Sequence, residues 1–134
     1  MIALVKFLHF FGLMLGSAAA FGNFAVARQV RRNSGQPANE LLALRPFFAR
    51  TALVAIILLW LTGSWLYFEA YSDIGLGLAF HFKLAAATLL LAAIIVVNVI
   101  MQRAVPPPSW LPQLHAASRV LLIVAVACAV YVFD

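Results

Sequence analysis

Carboxylates are almost missing from this 134-residue chain: Glu40, Glu69, Asp73 and Asp134 are all it has. None lies inside a long apolar run, so no acid and base pair stands ready for hydrolysis or phosphoryl transfer. There is no Ser/His/Asp set and no glycine-rich phosphate loop either. Cysteine occurs once, at Cys128. That excludes an intramolecular disulfide and a Cys/His zinc spacing, and leaves a small apolar packing residue. Charged residues of both signs make up only 10% of the chain. A water-soluble domain needs far more polar surface than that.

What is there is apolar. Hydrophobic residues reach 66%, which implies one integral membrane domain with no soluble domain beside it. Phe7 to Ala27 and Thr51 to Phe68 are uncharged. Leu84 to Gln102 follows, extended outward through Lys83 and His81. Val120 to Phe133 reaches spanning length only if it starts near His115, with Arg119 snorkelling to the interface. Lipid offers no partners to backbone N–H and C=O groups, so each segment is predicted as a helix. The expected fold is all-α: an integral membrane up-down four-helix bundle with helices over about residues 4–27, 50–69, 78–102 and 115–133.

The formal charge of +5 does not point to nucleic acid, because of where it lies. Arg28, Arg31, Arg32, Arg45 and Arg50 occupy the first loop, and Arg103 and Arg119 flank the third. The second loop carries Glu69 and Asp73 and no Lys or Arg before His81. The positive-inside rule then predicts N-out and C-out topology, with the basic loop in the cytoplasm and anionic lipid as its partner. The apolar run after Met1 is too long for a signal-peptide core and ends in arginines, so a retained helix is expected.

The loops carry their own signals. Asn33-Ser-Gly-Gln-Pro37 is polar, and Glu40-Leu-Leu-Ala-Leu44 reads as a short interfacial helix stopped before Pro46. Pro106-Pro-Pro108 and Pro112 favour an extended spacer. Trp65, Tyr67, Tyr71 and Trp110 suit a membrane interface, whereas Trp60 lies deeper than such a belt asks.

Three histidines exist, and two form a pattern. His9 and His81 stand at matching depth at the outer ends of two segments that run in the same direction. A ligating side chain inside a membrane segment marks a functional site by default. At about 100° per residue, Gly12, Gly16, Ala20 and Asn23 share the His9 side of their helix. Ala85, Thr88 and Ala92 share the His81 side. Such small strips admit either another helix or a flat cofactor. Helices one and three of an up-down bundle sit diagonally. Two imidazoles at one depth are then able to hold one iron from opposite faces, with haem b between them. Lys6 and Lys83 lie near the same boundary and suit haem propionates or another anionic group. The plainer alternative for both histidines is interfacial hydrogen bonding to water, lipid or a carbonyl. Copper is the other metal reading, without a Met or Cys partner close by. His115 reads as an interfacial or loop histidine at the opposite side, with a quinone or proton-entry role as the alternative. Asn23 and Asn98 read as interhelical hydrogen-bonding residues.

Lys6-Phe-Leu-His9, Leu61-Thr-Gly63 and His81-Phe-Lys83-Leu84 resemble motifs of the small four-helix bacterial membrane proteins around the J-type protoporphyrinogen IX oxidase and copper-resistance protein D. The resemblance implies a bacterial inner-membrane protein and, through His9, His81 and Lys83, haem b binding and oxidoreductase activity. The chain departs from that pattern at Gly16, Ser17 and Asn23, where the oxidase family tends to carry Trp, Pro and Arg. It departs again at Ser118-Arg-Val-Leu, where an Asn-Glu-x-Pro-like element is usual. Three functions therefore stand open. One is haem-linked redox or electron transfer, with protoporphyrinogen oxidation as its specific form. Another is a non-enzymatic accessory subunit of a respiratory or photosynthetic membrane complex, or a homo-oligomer. The third is copper handling.

Overall fold

A computed structural model describes residues 1–33, 39–71, 77–103 and 108–133. The polar stretch at Ser34 to Pro37, Asp73, Pro106, Pro107 and Asp134 lie outside the described residues, as does the Tyr71 side chain. The chain forms α1 (Ile2–Arg32), α2 (Asn39–Leu66), a π-helical turn (Tyr67–Tyr71), α3 (Gly77–Gln102) and α4 (Leu111–Phe133). All four α-helices are long and apolar enough to cross a membrane, and no strand occurs among the described residues.

Three helices are longer than their apolar runs predict. α1 continues through Arg28 to Arg32, because the backbone bonds of a helix need no apolar side chains to persist. Arg31 and Arg32 in its last turn also complement the negative end of the helix dipole. α2 begins at Asn39 and passes through Pro46. The separate interfacial helix expected over Glu40 to Leu44 is therefore the first part of α2. Proline removes one bond to the carbonyl four residues back, here that of Leu42. Leu42 is exposed, so that carbonyl has a route to solvent. α4 begins at Leu111 rather than near His115. Pro112 falls in its first turn, where a missing N–H costs no helical bond.

The packing inverts the usual large-inside pattern. Among the described residues, half of the buried apolar ones are alanine: Ala19, Ala49, Ala55, Ala86 and Ala93. Phe7, Phe10, Phe21, Leu61, Ile123 and Val130 are each more than 60% exposed. Small residues inside let backbones approach, and large ones outside suit lipid. α1 and α2 run antiparallel in close register. A Cβ on Gly12 would meet Leu59 at 3.2 Å, one on Gly16 would meet Ala55 at 3.5 Å, and one on Gly22 would meet the Phe48 ring at 2.5 Å. α2 packs on α3, and α3 on α4. Ala49, Val97 and Leu111 form a buried cluster that joins α2, α3 and α4 at the arginine-rich end. Asn98 ties α3 to α2 there by donating to the Ala49 carbonyl at 2.9 Å.

Candidate functional site

At the end of the bundle opposite the arginines, His9 faces α2. The Thr62 hydroxyl donates to the Leu58 carbonyl at 2.6 Å. Its oxygen is then the acceptor for His9, whose Nδ1 lies 2.9 Å away. The neutral His9 ring therefore carries its proton on Nδ1 and presents Nε2 as a lone pair. Gly63 completes this seat, since a Cβ there would stand 3.3 Å from His9 Cε1. Lys83 is half-buried on α3, and its charge reaches His9. Residues from three short motifs far apart in sequence thus stand near one another: His9, Thr62 with Gly63, and Lys83.

His81 is held differently. Its Nδ1–H donates to the Gly77 carbonyl at 3.0 Å, within the first turn of α3. Gly77 has φ +65°, a left-handed conformation that glycine adopts without strain. The neutral His81 ring also presents Nε2 as its lone pair. It is exposed, however, and so are Ala85, Thr88 and Ala92 along its strip. The packed face of α3 runs instead through Lys83, Ala86, Leu90, Ala93 and Val97. His9 is turned into the bundle and His81 away from it. The residues of each predicted strip do share a face, but only the α1 strip faces inward. Lys6 is exposed.

The space beside Gly12 and Gly16 is taken by α2, through Leu59 and Ala55. Of the two occupants that a small strip admits, a helix is the one found there. The donor chemistry of His9 suits a metal-bearing cofactor; the strip below it is covered by α2 at Gly12 and borders a cavity at Gly16, Ala20 and Asn23. Among the described residues no three His, Cys, Asp or Glu side chains gather into a metal-holding group. Next to this site Tyr67 stacks on Phe80 with ring centroids 4.8 Å apart, closing α2 against the start of α3.

His115 belongs to α4 and not to a loop. Asn23 Nδ2–H donates to His115 Nδ1 at 3.3 Å, linking α1 to α4. Asn23 Oδ1, His115 Nε2 and Arg45 Nε are buried there without partners, as is the indole Nε1 of Trp60 within α2. Sequence reasoning missed this second polar cluster, because Pro112 read as part of a spacer. The signal that would have found it is the preference of proline for the first turn of a helix, which moves His115 into the bundle.

No family model, curated protein or solved structure matches this chain.

Proposed function

We propose that this chain is a multi-pass protein of a bacterial inner membrane, N-out and C-out, that binds haem b at its outer end for redox or electron-transfer work. His9 is the iron ligand in this reading. The observation that carries it is the bond from His9 Nδ1 to Thr62, itself anchored on Leu58. Metal-ligating histidines commonly donate their other ring N–H to such an orienting partner, which fixes the tautomer and aims the lone pair. Lys83 supplies a positive charge beside the ring, suited to an anionic substituent of the cofactor. Haem, when bound, supplies one-electron chemistry. The chain's own part is to hold through His9, to orient through Thr62 and to balance charge through Lys83. Protoporphyrinogen oxidation is the specific reaction that the sequence resemblance implies. Because α2 fills the strip at Gly12 and Gly16 and His81 faces outward, ligation by His9 and His81 together would require α3 to turn.

A visible spectrum of the purified protein tests this. A Soret band lost in His9→Ala and retained in His81→Ala is the expected result. Haem bound normally in His9→Ala sinks the ligand assignment. Orientation is tested in a Cys128→Ala background. Glu69→Cys should react with an impermeant thiol reagent from outside, and Gln29→Cys should not.

A second reading is favoured by the exposed strip Ala85, Thr88 and Ala92. Small residues on a lipid-facing surface allow a further helix to pack closely, as in an accessory subunit of a larger membrane complex. Protein free of haem but held stoichiometrically in such a complex would decide for it.

A further inference from the structure

Toward the arginine-rich end lies a partly open cavity whose wall includes Gly16, Ala20 and Asn23 of the small-residue strip but not His9, Thr62 or Lys83. It has a volume of about 70 Å³, room for a few waters at about 10–15 Å³ each. All four helices contribute to its wall, and Asn23, His115 and Arg119 are among the lining residues. Asn23 Nδ2–H is a donor only, so His115 Nδ1 accepts from it. The neutral His115 ring then carries its proton on Nε2, and that N–H is buried without a partner. Arg45 Nε–H is buried without a partner too. Arg119 is held with its guanidinium 4.9 Å from the Phe24 ring centroid, and the charges of Arg45 and Arg119 both reach His115.

This inventory is lopsided. Donors and positive charge are in excess, and Asn23 Oδ1 is the one orphaned side-chain acceptor among the described residues. The described carboxylates, Glu40 and Glu69, are both exposed. Two guanidiniums set among apolar helices are costly unless a counter-charge meets them. A tetrahedral oxyanion supplies that counter-charge and accepts from several N–H groups at once. If one of its oxygens is protonated, that hydroxyl also satisfies Asn23 Oδ1. Phosphate has this chemistry, whether on a lipid headgroup or free. Phe48, Ile56, Leu90 and Leu122 in the same wall are apolar and suit an acyl chain rather than a free ion. A second groove of about 290 Å³ shares Ala49 and Asn98 with the cavity and carries Arg50. Basic pockets between membrane helices on the cytoplasmic side are a recurrent seat for anionic lipid.

We infer that this cavity binds the phosphate group of an anionic phospholipid through His115 and Arg119, with the charge of Arg45 beside them. The inference is independent of haem and needs only that the bundle spans a membrane.

Native mass spectrometry of the delipidated full chain tests it, with titrations of phosphatidylglycerol, phosphatidylcholine and inorganic phosphate. Phosphatidylglycerol should bind in preference to phosphatidylcholine. Arg45→Gln with Arg119→Gln should weaken it about thirtyfold, at about fivefold for each arginine. Arg28→Gln, on an exposed position, should leave it unchanged. Asn23→Asp is the second variant. It places a carboxylate in the cavity, so it should keep the fold while expelling the lipid phosphate, an effect that a merely structural hydrogen bond does not predict. Inorganic phosphate binding as tightly as phosphatidylglycerol would keep the oxyanion site but overturn the lipid as its source. Equal binding of the two lipids, or unchanged binding in Asn23→Asp and in the double variant, would overturn the site and leave a water-filled cavity.

Discussion

The two ends of the bundle treat buried polar groups in opposite ways. At the His9 end the imidazole turned into the bundle has its bond to Thr62, and Thr62 in turn is anchored on Leu58. At the arginine-rich end Asn23 and His115 each keep an orphaned atom beside an open space, and Arg45 keeps another. A satisfied network aims a side chain and rigidifies its surroundings. An unsatisfied one is costly until something enters it. The first end therefore fixes the orientation of His9, and the second leaves donors for a ligand to meet.

The strongest way to break this comparison is through the backbone contact that shapes the second end. A Cβ at Gly22 would stand 2.5 Å from the Phe48 ring, whereas one at Gly16 would stand 3.5 Å from Ala55. Gly22→Val forces the ring to move into the cavity or α1 to move off α2. Overpacking of this kind costs about 1–3 kcal/mol. Gly16→Ala sits at ordinary contact distance and should be close to neutral. Thermal unfolding in detergent reads both. Equal stability of the two variants would mean that α1 and α2 are not in register at Gly22.

A smaller effect sharpens the first end. Thr62→Val keeps the branched shape and removes the acceptor of His9. The loss should be about 0.6 kcal/mol, the average for interhelical hydrogen bonds in membranes, and no more than about 1.7 kcal/mol. Thr62→Ser should restore it. If the ring only needs a packed neighbour, Val and Thr will be equally stable and any haem content will not change. If Thr62 orients a ligand, Val lowers haem retention and Ser recovers it.

The four helices were legible because hydropathy reports the hydrocarbon span directly. Their ends were not. Arg28 to Arg32 and Asn39 to Ala49 are helical but lie beyond the apolar runs, so a hydropathy reading stops short of them. The His9 site was legible as residues and as motifs, and the grouping of Gly12, Gly16, Ala20 and Asn23 on one face followed from the helical repeat. Which face of α3 turns inward did not follow. Ala85, Thr88 and Ala92 look as suited to packing as Ala86 and Ala93, and only the seating of Leu90 and Val97 against the other helices decides between them. Lys83 rather than His81 comes inward as a result. The Asn23 to His115 bond joins helices at opposite ends of the sequence: Asn23 was legible as an interhelical residue, but its partner was not.

The smallest expected effect belongs to His81. The side chain is exposed, and its bond to Gly77 lies within its own helix turn. Exposed substitutions of this kind stay within about 0.5 kcal/mol. His81→Ala should therefore leave the unfolding midpoint of the isolated chain almost unchanged, below the effect of Thr62→Val at the same end. Its value lies in what else moves. If haem is held by His9 alone, the spectrum of His81→Ala matches that of the unaltered protein. If the variant instead loses haem while its stability holds, α3 must turn when the cofactor binds, and the outward position of His81 belongs to the cofactor-free packing only. If haem is never present but His81→Ala releases the chain from a larger assembly, the exposed strip beside His81 is a contact surface and the accessory-subunit reading gains the ground. Stability and spectrum measured on the same preparation separate these outcomes, because a general loss of fold would move both together.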